Sequence, residues 1–356
     1  MVLSSHIVDV TTPFNPSTTT MRRARPRVNA RARDYDYFDD DDDASGKRKS
    51  ARRGFASYEW FVKMLAILFV IIFVFVFGSS RSTSERTDDA SQTTASEAFC
   101  GRTDPLVCAH GGDVRGVDEL ANSATTLTRS IREGQTCVEI DVARTSDGAL
   151  VSMHGRDVVR FTKGAIEDAG EVALAELQMW NSEGENEALD FERALKLVVG
   201  RGLRQITVDF KENPPLGRHG LAEHVLEVAT KLSCDECLFW GKNDDTIRDA
   251  IRLGARRVGY VVGNFSNDML AKGYDKVIAG RVKGAHAIAV QSEMANAALI
   301  RTARRHKLAV HVWTVNDETK MRRIVNLGVD GIVTDQPKLL QSVIQEFRAQ
   351  CKDRGL

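Results

Sequence analysis

The 356-residue chain carries 49 basic and 49 acidic side chains, a formal net charge of +0, so it has no overall basic field with which to hold nucleic acid. A content of 42% hydrophobic and 28% charged residues is that of a globular protein, which excludes a wholly disordered or fibrous chain. The length allows one large domain plus accessory segments.

In chain order, residues 1–58 open with a basic run (Arg22, Arg23, Arg25, Arg27, Arg31, Arg33) and continue with an acidic one, Asp39 to Asp43. Such blocks repel themselves and bring no apolar surface to offset ordering entropy, so a disordered tail is expected. The first ~35 residues are also rich in Ser, Thr and Arg, the composition of an organelle transit peptide, although Asp39–Asp43 speaks against extending that reading further.

Residues 59–78 contain an apolar run from Trp60 to Phe77 without a polar stripe, interrupted only by Lys63, which can snorkel. At about 1.5 Å per residue the run reaches roughly across a hydrocarbon core of about 30 Å, and a transmembrane helix is predicted. The polar stretch ahead of it is too long for a cleaved signal peptide. Lys47, Arg48, Lys49, Arg52 and Arg53 precede the run; Arg81 and Arg86 follow it, offset by Glu85, Asp88 and Asp89. The basic side stays cytoplasmic, which predicts a single-pass membrane protein with its C-terminal part lumenal or extracellular. All six cysteines lie after the run, as does the glycosylation acceptor Asn264-Phe265-Ser266. Cys108 and Cys137 sit in apolar stretches and read equally well as buried thiols; Cys234 and Cys237 read as a local disulfide or two thiols. Residues 79–99 form a polar linker.

From 100 to 356 the pattern changes. Apolar, β-branched runs (Leu106–His110, Val138–Val142, Leu150–His154, Ile206–Phe210, Leu238–Trp240, Val258–Val262, Ala287–Val290, Val310–Val315, Gly331–Thr334) alternate with amphipathic stretches at Asn122–Glu133, Leu221–Leu232, Asp245–Leu253, Asn296–His306 and Glu318–Leu327. Strand then helix, repeated, predicts a TIM-like (β/α)8 barrel. An open doubly wound sheet is the alternative, but no Gly-rich dinucleotide fingerprint follows the first strand. Only Ala143 to Ala149 joins the second and third runs, too short for a crossover helix, so a β-hairpin irregularity built on Asp147-Gly148 is expected there.

Side chains two apart on a strand share a face. Glu139 and Asp141 therefore point together, as do Asp209 and Lys211, and His311 and Trp313, while His110 and His154 end the first and third runs. The C-terminal strand ends of a parallel barrel share one rim. Each feature alone has a bland reading: solvent-facing acids, a structural histidine, a core tryptophan. Gathered on one rim, carboxylates, imidazoles and a lysine suit metal-assisted hydrolysis at a phosphate.

Six ordered motifs sharpen this. Cys108-Ala-His110-Gly-Gly112, Cys137-Val-Glu-Ile-Asp141, Thr145-Ser-Asp-Gly148 with Leu150-Val-Ser-Met-His154, Val208-Asp-Phe-Lys211, His311-Val-Trp-Thr-Val-Asn-Asp317 and Gly328-Val-Asp-Gly-Ile-Val-Thr-Asp-Gln-Pro337 resemble the glycerophosphodiester phosphodiesterase family over roughly residues 105–340. The resemblance implies a TIM barrel that cleaves glycerophosphodiesters to glycerol 3-phosphate and an alcohol. It implies His110 and His154 as the acid/base pair, Glu139, Asp141 and Asp209 as ligands of a divalent metal, Mg or Ca, Lys211 as the phosphate contact and Trp313 on the glycerol side. Four positions depart from the family: Gly111 replaces its Arg, Asp209 its usual Glu, Gly155 its Asp after the second histidine, and Leu120-Ala-Asn-Ser123 its PENT. Arg115 or Arg156 is a candidate for the missing charge, and Glu293 for an extra rim contact. The rival expectations are a lysophospholipase D acting on membrane lipids and a catalytically silent, membrane-anchored binding module.

Overall fold

The computed structural model describes residues 94–356 except 117–118, 181–186, 265 and 278–280. The expected tail (1–58) and transmembrane helix (59–78) lie outside the described residues, as does nearly all of the linker. Among the described residues no helix is long and apolar enough to cross a membrane.

Among the described residues nine strands form: β1 Leu106–Ala109, β2 Cys137–Arg144, β3 Leu150–Val151, β4 Gln205–Phe210, β5 Cys237–Gly241, β6 Gly259–Val262, β7 Ala287–Gln291, β8 Ala309–Trp313 and β9 Gly331–Thr334. Eight of them run parallel in the order β5-β4-β2-β1-β9-β8-β7-β6. A parallel bridge between Phe239 and Val258 joins the two ends and closes the sheet. β3 stands off this path as the antiparallel partner of β2, pairing Ala143 with Val151 and Arg144 with Leu150. The hairpin expected at Asp147-Gly148 is therefore present, turning through Gly148 at φ 83, a left-handed conformation that glycine adopts without a Cβ penalty.

Alternation sorts the side chains. Val107, Ala109, Val138, Ile140, Val142, Ile206, Val208 and Phe210 face outward into the layer of helices. Leu106, Cys108, Cys137, Leu238, Trp240, Val261, Ala287, Ala289 and Val333 fill the barrel. His311, expected to share a face with Trp313, is 2% exposed within that interior and stands edge-on to Trp240 with ring centroids 5.7 Å apart. Burial pushes its pKa down to about 4, so it is a neutral packing group below the rim.

Several outer helices start at a polar cap: Ser123, Asn243, Asn296 and Asp317 accept hydrogen bonds from the first-turn amides of Ala124–Arg132, Asp244–Arg252, Ala297–Arg305 and Glu318–Asn326. Residues ahead of Cys100 already pack against the barrel. Ser96 caps the short helix Glu97–Cys100, and Phe99 is buried edge-to-face against Phe347 of the final helix Pro337–Asp353. All cysteines pair: Cys100 with Cys351, Cys108 with Cys137, Cys234 with Cys237. The reading of Cys108 and Cys137 as thiols is thus corrected. β1 and β2 place them in register as direct partners with Cα atoms 4.2 Å apart, a proximity that sequence does not reveal.

Candidate active site

β2 and β4 lie side by side with Asp141 opposite Asp209. Because Glu139 is two residues before Asp141, all three carboxylates enter the mouth of the barrel, and one oxygen from each lies within 4.8 Å of the others. They are almost wholly buried, at 2%, 1% and 9% exposure. Burial and then Asp141 raise the Glu139 carboxyl to about 8. Burial also raises Asp209, whereas for Asp141 Lys211 overcomes burial and holds the group ionised. Lys211 Nζ reaches Asp209 at 2.6 Å and Asp141 at 3.0 Å. Its ammonium is kept charged against burial by those two acids.

This cluster fits a divalent cation. Three carboxylates offering hard oxygens converge, and Asp209 Oδ1 is buried with no hydrogen-bond partner. Asn122 holds Asp141 from behind, donating to Oδ2 at 2.9 Å and accepting from the Asp141 amide at 3.0 Å. The Gly111 amide donates to Glu139 at 3.1 Å.

The two histidines flank the carboxylates in the same pocket, whose lining also includes Arg156, Lys242, Trp240 and Trp313. His110 Nδ1 is 2.7 Å from Asp335 Oδ1, and its Nε2 is 3.1 Å from Arg156 Nη2. Burial alone would lower the His110 pKa, but Glu139 and the hydrogen-bonded Asp335 lift it to about 9. His154 is the N-cap of the helix Gly155–Phe161, its Nδ1 accepting from the Arg156 amide at 3.3 Å. Burial and then Lys211 push it well below the ordinary imidazole range. One imidazole is thus proton-holding and the other neutral.

Of the residues singled out in sequence, His110, His154, Glu139, Asp141, Asp209, Lys211 and Trp313 come together here. Two do not. Arg115 pairs with Asp113 at 2.8 Å and Glu133 at 3.0 Å on the outer surface. Glu293 is turned away by the short 3-10 helix Ser292–Met294 and pairs with Lys320 at 3.0 Å. Asp335 and Lys242 were missed. Each follows an inward strand residue, Val333 or Trp240, by two positions, so alternation carried past the strand end would have found both.

A model of the glycerophosphoryl diester phosphodiesterase family matches residues 110–233 and 242–339. The glycerophosphodiester phosphodiesterase GDPD4 of Arabidopsis thaliana is 32% identical over 259 residues, 70% of this chain and 76% of that protein. A glycerophosphodiester phosphodiesterase structure from Parabacteroides distasonis superposes with a TM-score of 0.57 at 22% identity, over 69% of this chain and 99% of that one. A phosphodiesterase from Oleispira antarctica, solved with the product sn-glycerol-3-phosphate, superposes with a TM-score of 0.52 at 20% identity, over 70% of this chain and 99% of that one.

Proposed function

The chain belongs to the glycerophosphodiester phosphodiesterase family, and from that premise we propose that it hydrolyses glycerophosphodiesters to glycerol 3-phosphate and a free alcohol. The observation that carries this reading is the convergence of Glu139, Asp141 and Asp209 in one pocket with His110 and His154.

Glu139, Asp141 and Asp209 would hold a divalent ion, with Mg²⁺ and Ca²⁺ both suited to an all-oxygen set. Such an ion, when bound, supplies positive charge to the phosphoryl oxygens. Lys211 keeps Asp141 ionised, pairs with Asp209 and lies beside the phosphate position. Environments that drive two titratable groups apart assign their roles. His110, which retains its proton, gives it to the departing alkoxide. His154, held neutral, takes the proton of the attacking oxygen. For that, its own proton must sit on Nδ1, which exchanges the long 3.3 Å contact from the Arg156 amide for an open Nε2. Trp313 and Trp240 form the apolar wall of the pocket and exclude water beside the glycerol moiety.

We place the barrel on the lumenal or extracellular side of a membrane, tethered by residues 59–78. The support is the basic flank before that run and the three disulfides, which persist only in oxidising compartments.

The test is release of glycerol 3-phosphate by the purified protein from glycerophosphocholine, beside an acylated analogue to score lysophospholipase D activity. Replacing Glu139 or His154 by Ala lowers kcat by about 10²–10⁴-fold. Turnover left intact in either variant sinks the assignment.

A further inference from the structure

We propose that Arg156 clasps the phosphoryl oxygens of the substrate, a role that the loop after the first histidine is built unable to fill. This rests on the phosphodiesterase reading of the site. Gly111 follows His110 at φ 60, where a Cβ would stand 2.6 Å from the Ala121 Cβ and 3.3 Å from the Asn122 amide nitrogen. The segment is not free to yield. Its amide is committed to Glu139 at 3.1 Å and its carbonyl accepts from the Asn122 amide at 2.6 Å. A side chain at this position would break the contacts that hold Glu139, the residue opposite the histidine.

Arg156 reaches the same place from the other side. It lies in the first turn of the helix Gly155–Phe161 and lines the pocket. Its amide donates to His154 Nδ1 at 3.3 Å, and its Nη2 lies 3.1 Å from His110 Nε2, so one residue spans both imidazoles. A phosphoryl group whose attacking oxygen loses a proton to one histidine and whose leaving oxygen gains one from the other must lie between them, within reach of that guanidinium. Lys211 does not serve in its place, because its ammonium is engaged by Asp209 and Asp141. His110, holding the proton that the mechanism requires of it, offers the guanidinium no acceptor, whereas a phosphate oxygen does. When substrate enters, the planar fork turns from His110 onto two phosphoryl oxygens, giving parallel charge-assisted hydrogen bonds and releasing Nε2 for proton transfer.

Arg156→Ala and Arg156→Lys, made in the full chain and assayed with saturating Mg²⁺ and with Ca²⁺, test this. With Arg156→Ala, kcat/KM for glycerophosphocholine falls by about 10²–10³-fold, the usual cost of one preorganised oxyanion donor, and added guanidinium ion restores part of it. Arg156→Lys keeps the charge without the fork and weakens inhibition by glycerol 3-phosphate about tenfold. A folded Arg156→Ala with kcat/KM within about threefold of wild type overturns the proposal, since a transition-state donor costs far more. A loss that guanidinium ion does not restore also overturns it, assigning Arg156 to holding His110 in place. If the Ala variant does not fold, unchanged glycerol 3-phosphate inhibition in Arg156→Lys is the overturning result. A wild-type chain without turnover sinks the parent reading instead, so the two failures are distinguishable.

Discussion

Asp335 accepts from His110 Nδ1 at 2.7 Å and is itself gripped by Asn316, which donates to its second oxygen at 2.6 Å and accepts from its amide at 2.8 Å. Burial would raise the Asp335 pKa, but His110 and Asn316 hold it ionised. Ionised Asp335 in turn favours the protonated form of His110, the form that donates to the leaving group in the proposed mechanism. The sign follows. Asp335→Asn removes an influence that raises the His110 pKa, so the basic limb of the kcat/KM–pH profile moves to lower pH while the acid limb, set by His154, stays. The rate at the optimum falls by roughly 10–100-fold, as when other orienting partners of a working imidazole are lost. An unmoved basic limb would refute the assignment of His110 as the acid. At this scale sequence was a good guide wherever a residue lay on a strand with period-2 spacing, as Glu139, Asp141 and Asp209 do. It was a poorer guide past the strand ends. Nothing local marks Arg156 over Arg115 as the residue that enters the pocket, because the difference is made by Asp113 and Glu133, which capture Arg115 on the surface.

Among the elements, the repeating strand–helix alternation was legible because each strand is an apolar run and each helix an amphipathic one, and the irregular hairpin because seven residues cannot hold a crossover. The pairing of distant elements was not. Cys100 and Cys351 are separated by 251 residues, and only the folded chain shows the helix Glu97–Cys100 lying on Pro337–Asp353, with Phe99 against Phe347 and Arg348 stacked over Phe99. A crosslink closing a loop of that length restricts the unfolded chain by about 5 kcal/mol in the chain-entropy description. The double variant Cys100→Ser, Cys351→Ser accordingly unfolds roughly 10 °C lower, with the aromatic contacts still holding the two helices in the native state. Calorimetry decides it. A shift of less than about 2 °C would mean that packing alone joins the ends of the barrel, and that the disulfide adds little to it.

For the whole molecule, the proposed lumenal or extracellular placement of the barrel decides which other properties are expected of the chain. Three disulfides persist only where the surroundings are oxidising. If residues 59–78 span a membrane, as proposed, their flanking charges would orient the chain independently of any cysteine, and to the same side. Asn264, within the acceptor sequence Asn-Phe-Ser, is exposed just beyond the C-terminal end of β6, where a transferase could reach it. These three features rest on different chemistry: thiol oxidation, the cost of translocating Lys and Arg, and access to an amide nitrogen. A barrel that faces the lumen satisfies all three, so the full chain expressed in eukaryotic cells runs smaller on a gel after treatment with an endoglycosidase. Asn264→Gln removes that shift without altering turnover, since Asn264 is exposed, donates its backbone amide to Gln291 at 3.0 Å and is not among the residues lining the pocket. A chain that carries no glycan and is digested by protease added to the cytoplasmic face would reverse the orientation, leaving the disulfides in surroundings that reduce them.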